Sequence, residues 1–121
     1  MEALGIRYTR VTPNRVEGEM DVDGRTCQPF GVLHGGASLA LAETLAGLAG
    51  SLNCAEGEVV LGMQVSAQHV SSAPWGAVVR GVATPVHLGR TTQVWNVDIL
   101  LLPQDRLLST VRVVNAIRKK K

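Results

Sequence analysis

The sequence is poor in aromatic residues and cysteine, and this excludes several classes of function. Phe, Tyr and Trp make up 3% of the 121 residues. Since no basic stripe with interleaved aromatics occurs, we expect no nucleic-acid partner. The two cysteines, Cys27 and Cys54, lack the spacing of a metal site and fit a reducing cytoplasm. The three histidines, His34, His69 and His87, are 35 and 18 residues apart and lack clustered carboxylates, so we expect no metal.

Long uninterrupted hydrophobic runs are also missing. The segment 26–55 has one formal charge, Glu43, but five glycines between Gly31 and Gly50 interrupt it, so we expect no membrane span. The chain starts without the basic and apolar regions of a signal peptide, which favours the cytoplasm. Residues 118–121 are basic and are predicted to form a frayed, solvated tail. The length suits one domain over residues 1–121.

A helix is predicted after the glycine pair Gly35-Gly36. Its leucines fall at i, i+4, i+7 and i+11, a spacing that docks one face on a core; they are Leu41, Leu45, Leu48 and Leu52. Opposite them lies Glu43, and its neighbours there are Gly36, Ala40, Gly47 and Gly50. A solvated face would carry long polar side chains. We therefore infer that a second chain or a ligand covers this face and partly buries Glu43.

The start of this helix can polarise a bound group. His34 is followed by two glycines at the helix N-terminus, where no side chain blocks the backbone N–H groups. The positive end of the helix dipole lies at the same place. Such an end can hold an anion or polarise a carbonyl. With Glu43 farther along, one helix combines a donor and an acid.

Strands account for most of the remaining chain. Hydrophobic and polar residues alternate from Val16 to Val22, and a second alternation runs from Val59 to Val70, with His69 ending its apolar row. Gly62 inside that strand indicates a bulge or a close backbone approach. Two more strands are predicted near 91–102 and 107–117, besides one at 77–85. Four long strands joined by short turns after one helix predict an antiparallel meander.

Several motifs together resemble one enzyme family. The stretch Gln-Pro-Phe-Gly-Val-Leu-His-Gly-Gly-Ala-Ser at 28–38, followed by Leu-Ala-Glu at 41–43, resembles the hotdog-fold acyl-CoA thioesterases, in particular the 4-hydroxybenzoyl-CoA type with a helix glutamate. The likeness continues through 67–73, 87–90 and 93–95. It implies an α+β hotdog fold, in which one long central helix is wrapped by an antiparallel β-sheet.

The resemblance also implies roles at the reacting centre. Glu43 corresponds to the catalytic carboxylate, acting as nucleophile or general base. Gly35 corresponds to the backbone N–H donor to the thioester oxygen, while Gln28 and His34 correspond to residues that position the thioester. Relatives often carry a hydroxyl residue one turn beyond the acid, where this chain has Gly47.

Other matching segments imply substrate and CoA binding. The residues concerned are Gly62, His69, Ser71, Ser72, His87, Leu88, Gly89 and Arg90. Among them Arg90 is the natural phosphate partner, and a solvated turn arginine is the alternative interpretation. In the family the acid of one subunit faces the His-Gly-Gly turn of its mate. We therefore expect a homodimer with the active site at its interface, pairing into a tetramer.

The predicted function is hydrolysis of an aryl- or phenylacyl-type CoA thioester to free acid and CoA. CoA is then part of the substrate and no cofactor is needed. One alternative is a non-catalytic acyl-CoA-binding hotdog module in which Glu43 is idle. Others are a thioesterase for medium-chain or carrier-protein-linked acyl groups, and a hydratase-like hotdog enzyme.

Overall fold

The computed structural model of the chain describes residues 5–24, 26, 33 and 35–120. The described elements are six strands and one helix: β1 (Arg7–Thr12), β2 (Arg15–Asp21), α1 (Gly35–Leu52), β3 (Glu58–His69), β4 (Val78–Leu88), β5 (Thr92–Leu101) and β6 (Arg106–Lys119). The strands form one antiparallel sheet around α1. This confirms the predicted hotdog fold. Within the described residues, no helix is both long and apolar enough to cross a membrane.

The order of the strands differs from a simple meander. In space the order is β1-β2-β4-β5-β6-β3, so β3 lies at the far edge beside β6 and β2 is the neighbour of β4. The predicted meander is therefore right for β4 to β6 and wrong for β3. The β3–β4 connection crosses the end of the sheet: Ser71 N–H donates to the Leu108 carbonyl in β6, and Gly76 N–H donates to Val22 just beyond β2.

Alternation along β2 and β5 places their apolar side chains against the helix. Val16 and Met20 of β2 are fully buried, as are Trp95, Val97 and Ile99 of β5. The predicted faces of both strands are confirmed. These side chains, with Leu41 and Leu45 of α1, form the centre of the hydrophobic core.

Two glycines of the sheet make room for the helix. A Cβ at Gly81 in β4 would lie 2.5 Å from Leu45 Cδ1, and one at Gly18 in β2 would lie 2.9 Å from Leu45 Cδ2. Both distances are below van der Waals contact. Leu45 therefore sits where neither strand has a side chain, and this close approach fixes α1 across the middle of the sheet.

The buried face of α1 follows a different direction along the helix from the one that its leucine spacing predicts. The buried residues follow two i+4 rows, Ala37-Leu41-Leu45-Ala49 and Ser38-Ala42-Ala46-Gly50. Such rows are inclined to the helix axis. At the C-terminal end the sheet therefore contacts Gly50, whereas Leu52 is 41% exposed. The assignments of Leu52 to the core and of Gly50 to the Glu43 face were both wrong.

A bulge divides β3 into two parts that face different ways. The pairing with β6 shifts between Gly62 and Gln64, which leaves Met63 as an extra residue. Beyond the bulge, Val65 packs against the core, but Leu61 and Met63 are 53% and 61% exposed. The bulge indicated by Gly62 is confirmed. A single apolar row from Val59 to His69 is wrong, because the extra residue exchanges the two faces.

The predicted frayed tail is also shorter than expected. Strand β6 continues to Lys119, with Arg118 opposite Val59 and Lys119 opposite Glu58 of β3. Even Lys120 donates its backbone N–H to the Gly57 carbonyl. The basic side chains at 118–120 are exposed, but pairing with β3 holds their backbone in the sheet.

Candidate active site

A cavity of about 200 Å³ lies at the N-terminal end of α1. The α1 start, the β3 end, the connection after it and β6 all contribute to its wall, with the residues Leu33, Gly35, Ser38, His69, Ser71, Ser72, Leu108 and Ser109. The wall thus combines hydroxyl groups, an imidazole and the positive end of a helix dipole. It can donate several hydrogen bonds to an oxygen-bearing ligand.

His69 is held in this cavity by a hydrogen bond. Its Nδ1 lies 2.7 Å from the hydroxyl of Ser109, which is directly opposite in β6. The other ring nitrogen, Nε2, points toward the helix start, because a Cβ built on Gly35 would lie 3.3 Å from it. Lack of a side chain at position 35 therefore lets the imidazole approach the helix N-terminus.

The segment after β3 is fixed by hydrogen bonds to β6. The Ser71 hydroxyl donates to the Leu107 carbonyl at 2.8 Å, and the backbone N–H groups of Val70 and Ser71 both donate to the Leu108 carbonyl. On the next residue, Ser72, the carbonyl accepts from Arg106 Nη2 at 3.2 Å. The structure thus brings Gly35, His69, Ser71 and Ser72 together, as four of the predicted site residues.

Glu43 lies near the middle of α1 and is exposed in the single chain. The partial burial predicted for it is therefore not provided by this chain's own sheet, because the buried rows of α1 run along the other side of the helix. Gln28 and His34, the other two residues predicted at the reacting centre, lie outside the described residues.

The predicted CoA-binding turn is at the opposite end of the molecule. His87 and Leu88 end β4, and Gly89 N–H closes the turn onto the Thr92 carbonyl. Next in the chain, Gln93 donates from its side chain to the Gly50 carbonyl near the C-terminal end of α1. Since α1 has 18 residues, it is roughly 27 Å long. One chain therefore does not bring this turn, including the exposed Arg90, to the cavity.

Gly62 also lies apart from the cavity, at the exposed bulge of β3. Two polar residues of the cavity wall, Ser38 and Ser109, were missed from the sequence, and both are 2% exposed. Ser38 follows the glycine pair by two residues and carries a hydroxyl on an apolar helix, a signal that could have been used. Ser109 gives no such signal, since its place depends on the register between β6 and β3.

Among the described residues, no group of three or more His, Cys, Asp or Glu side chains is arranged to hold a metal.

Comparison with known proteins identifies the family of this site. The Thioesterase superfamily profile matches residues 30–116, which include α1 and strands β3 to β5. The chain belongs to this superfamily. It is therefore a thioester hydrolase, and the resemblance seen in its motifs is confirmed.

Individual members of the superfamily match over nearly the whole chain. The proofreading thioesterase EntH of Cronobacter turicensis is 47% identical over 117 residues, which cover 97% of this chain and 84% of EntH. Thioesterase HI1161 of Haemophilus influenzae has a crystal structure that matches with a TM-score of 0.92 and 42% identity, covering 98% of this chain and 81% of its own.

A third relative is known from structures of two substituted forms. SAV0944 of Staphylococcus aureus matches with a TM-score of 0.92 and 31% identity in a form with a glutamate replaced by alanine, covering 98% of this chain and 97% of its own. A second form, described as a thioesterase enzyme, has a glutamine replaced by alanine and matches with a TM-score of 0.91.

Proposed function

We propose that this thioesterase hydrolyses an aryl- or phenylacyl-type CoA thioester to the free acid and CoA, with Glu43 as the catalytic carboxylate. The support comes first from spacing. The glutamate and glutamine replaced in the two SAV0944 structures are 15 residues apart in that chain. Gln28 and Glu43 are also 15 residues apart. The same pair of residue types is thus found in a relative that matches along almost its whole length.

The reaction can proceed in two ways from these residues. As a nucleophile, the Glu43 carboxylate attacks the thioester carbonyl, the C–S bond breaks and the CoA thiolate leaves and takes up a proton. Water then cleaves the resulting anhydride and restores the carboxylate. As a general base, Glu43 removes a proton from the water that attacks the carbonyl directly. In both, the Gly35 N–H stabilises the oxygen that gains negative charge.

A site shared between two copies would account for the exposure of Glu43 in one chain. Among the described strands, β3 forms one edge of the sheet, and Leu61 and Met63 expose apolar surface there. Antiparallel pairing of two β3 edges would continue the sheet and bury this surface. It would also bring α1 of the partner, the helix that carries the catalytic glutamate, beside the cavity at Gly35 of the first chain. We propose such a dimer, with two dimers forming a tetramer.

The same pairing would complete the CoA site. In one chain the Arg90 turn lies at the end of the sheet away from His69, near the start of β3. An antiparallel neighbour reverses this, so that its Arg90 turn approaches the His69 end of the first chain. Arg90 is proposed to bind CoA phosphate there, with His87, Leu88 and Gly89 forming the turn. His69, Ser71 and Ser72, together with Gly62 on the β3 edge, are proposed to contact the CoA arm.

The aryl- or phenylacyl group of the proposed substrate is taken from the family resemblance. The name of the Cronobacter relative, a proofreading thioesterase, favours a corrective role in which misplaced acyl groups are removed. Such groups can be carried by CoA or by a carrier protein, so a carrier-linked thioester is the second candidate substrate. The proposed reaction takes place in the cytoplasm and needs no cofactor.

Release of free thiol tests this proposal. Wild type and Glu43→Gln are compared on benzoyl-, 4-hydroxybenzoyl-, phenylacetyl-, hexanoyl- and palmitoyl-CoA and on a carrier-linked benzoyl thioester. Loss of the carboxylate is expected to lower kcat at least about 100-fold on the preferred substrate. Glu56→Gln is the matched control, because Glu56 is an exposed glutamate outside α1.

Two outcomes would contradict the proposal. A folded Glu43→Gln enzyme that works at the wild-type rate would remove Glu43 from the mechanism. A preference for hexanoyl- or palmitoyl-CoA over all three aromatic substrates would overturn the proposed acyl group. Binding of acyl-CoA without thiol release would favour the non-catalytic module, and a changed double bond in the product would favour a hydratase.

A further inference from the structure

The hydrogen bond between Ser109 and His69 can run in either direction, according to which ring nitrogen of His69 carries the proton. Ser109 is 2% exposed, and its hydroxyl makes no other hydrogen bond to the described residues. A buried hydroxyl hydrogen without an acceptor is costly. Donation by the Ser109 hydroxyl to Nδ1 of His69, at 2.7 Å, would satisfy this hydrogen. A neutral imidazole with Nδ1 as acceptor carries its proton on Nε2.

Nε2 is the ring nitrogen that faces the helix start. A Cβ on Gly35 would be 3.3 Å from Nε2 and 3.8 Å from the two ring carbons beside it. A proton on Nε2 would therefore lie beside the Gly35 end of α1, where backbone N–H groups point out of the helix. Two kinds of N–H donor then border one cavity of about 200 Å³.

We propose that Ser109 is a positioning residue that holds neutral His69 in the Nε2–H tautomer, so that His69 donates a hydrogen bond to an oxygen on the CoA arm of the bound thioester. The identity of that ligand rests on the proposed function, whereas the tautomer does not. With Nδ1 protonated instead, Nε2 would be an acceptor and would repel the same oxygen. Ser109 thus acts on the substrate through His69.

The tautomer can be measured without any substrate. Long-range ¹H–¹⁵N correlation spectra of the imidazole rings are recorded at about pH 8.5, above the ordinary pKa of histidine. The chain has three histidines, so a His69→Gln spectrum assigns the His69 signals. We expect a pyrrole-type Nε2 and a hydrogen-bonded, pyridine-type Nδ1. A pyrrole-type Nδ1 in the wild type would overturn the proposal.

Substitutions then separate positioning from a structural role. In Ser109→Ala the Nδ1 signal of His69 should move to the position of an imidazole without a hydrogen bond, and in Ser109→Thr it should return. The signals of His87, which lies on the β4 end away from the cavity, should stay unchanged in both. Ser66→Ala is the matched control, because Ser66 is an exposed serine on β3.

Kinetics test the effect on the substrate. Ser109→Ala should raise KM by about three- to tenfold with little change in kcat, the size of one hydrogen bond made equally in the ground and transition states. Ser109→Thr should restore KM. Wild-type KM in Ser109→Ala would overturn the proposed donation to the substrate. Absence of thioesterase activity on the panel would instead count against the proposed function and leave the tautomer result intact.

Discussion

Leu45 of α1 occupies the space above Gly81 of β4, where a Cβ would lie 2.5 Å from its Cδ1. This contact connects the helix that carries Glu43 to the middle of the sheet. The sheet has a glycine at the point of closest approach, and a fully buried leucine fills the space. The position of the acid relative to the sheet therefore depends on the absence of a side chain at Gly81, as it does at Gly18.

Gly81→Ala is expected to destabilise the fold. The added methyl group has to displace Leu45, and Ile99 Cδ1 at 3.3 Å limits that movement from another side. Overpacking of this kind costs about 1–3 kcal/mol. Urea unfolding at fixed protein concentration measures the effect. A free energy of unfolding equal to that of wild type would show that Leu45 can move without cost.

Gly47→Ala provides the control for the same chemical change. In the single chain, none of the described residues places an atom within 4 Å of a Cβ at position 47, apart from the backbone of α1 itself. Replacing glycine by alanine in a helix interior stabilises it by about 0.5–1 kcal/mol. The two glycine substitutions should therefore have opposite signs.

The exposed edge at β3 gives a test of the proposed dimer. Met63→Lys puts a charge at the bulge, on a residue that is 61% exposed in the single chain. If two β3 edges pair, burying this charge is costly, so the oligomer should dissociate and thiol release should fall with it. Light scattering after size exclusion, combined with the thiol assay, measures both.

Val11→Lys is the control for the edge. Val11 is 47% exposed and lies in β1, at the other edge of the same sheet. The Val11→Lys substitution should leave the oligomeric state and the rate of thiol release unchanged. An intact, fully active Met63→Lys oligomer would place the interface elsewhere.

Much of the fold could be predicted because alternation and helical spacing report burial directly. Trp95, Val97 and Ile99 lie on the inner face of β5 as their period indicates. The position of β3 could not be predicted in this way, because alternation shows which face of a strand is buried but not which strand lies beside it. Met63 adds a second difficulty, since one extra residue exchanges the faces of the strand around it.

Part of the candidate site could be predicted, because some of its residues belong to short sequence motifs. Gly35 and His69 belong to local motifs, and the structure brings them to one cavity. The partner of His69, Ser109, is 40 residues away in the sequence and is selected by the β3–β6 register. For Glu43 the limit is different: its proposed surroundings belong to a second copy, so a single chain does not contain them.

A buried amide should prove important for the C-terminal end of the helix. Gln93 is 1% exposed, donates to the Gly50 carbonyl at 3.2 Å and accepts from Trp95 Nε1 at 2.9 Å. Gln93→Leu keeps most of the volume but leaves Trp95 Nε1–H without its acceptor. The Gly50 carbonyl loses one of two hydrogen bonds and still accepts from Asn53 N–H. We expect the free energy of unfolding to fall by about 1–3 kcal/mol. Urea unfolding monitored by Trp fluorescence measures this change.

Gln68→Leu makes the same change at an exposed position of β3. A surface substitution of this kind should stay within about 0.5 kcal/mol of wild type. Equal stabilities of the two variants would mean that water or a rearranged side chain provides the hydrogen bond that Trp95 Nε1–H loses.

Cys54 is expected to react slowly with alkylating agents at neutral pH. Desolvation by burial raises the pKa of its thiol, and the negative charge of Glu58 raises it further. Because the thiolate is the reactive form, a raised pKa lowers the reactive fraction at any pH below it. Glu58→Gln removes the second cause, so alkylation should be faster at each pH, while remaining slower than that of free cysteine. The amide oxygen can still accept the hydrogen bond that Glu58 Oε1 receives from Ala55 N–H.

The measurement is the rate of iodoacetamide labelling from pH 7 to pH 10, by mass spectrometry, in a Cys27→Ser background that leaves one thiol. Glu56→Gln removes the same charge from a residue bordering the same surface cavity as Cys54, and it should leave the profile unchanged. A Glu58→Gln profile that coincides with the wild-type one would show that burial alone controls this thiol, because the carboxylate would then contribute nothing to its pKa.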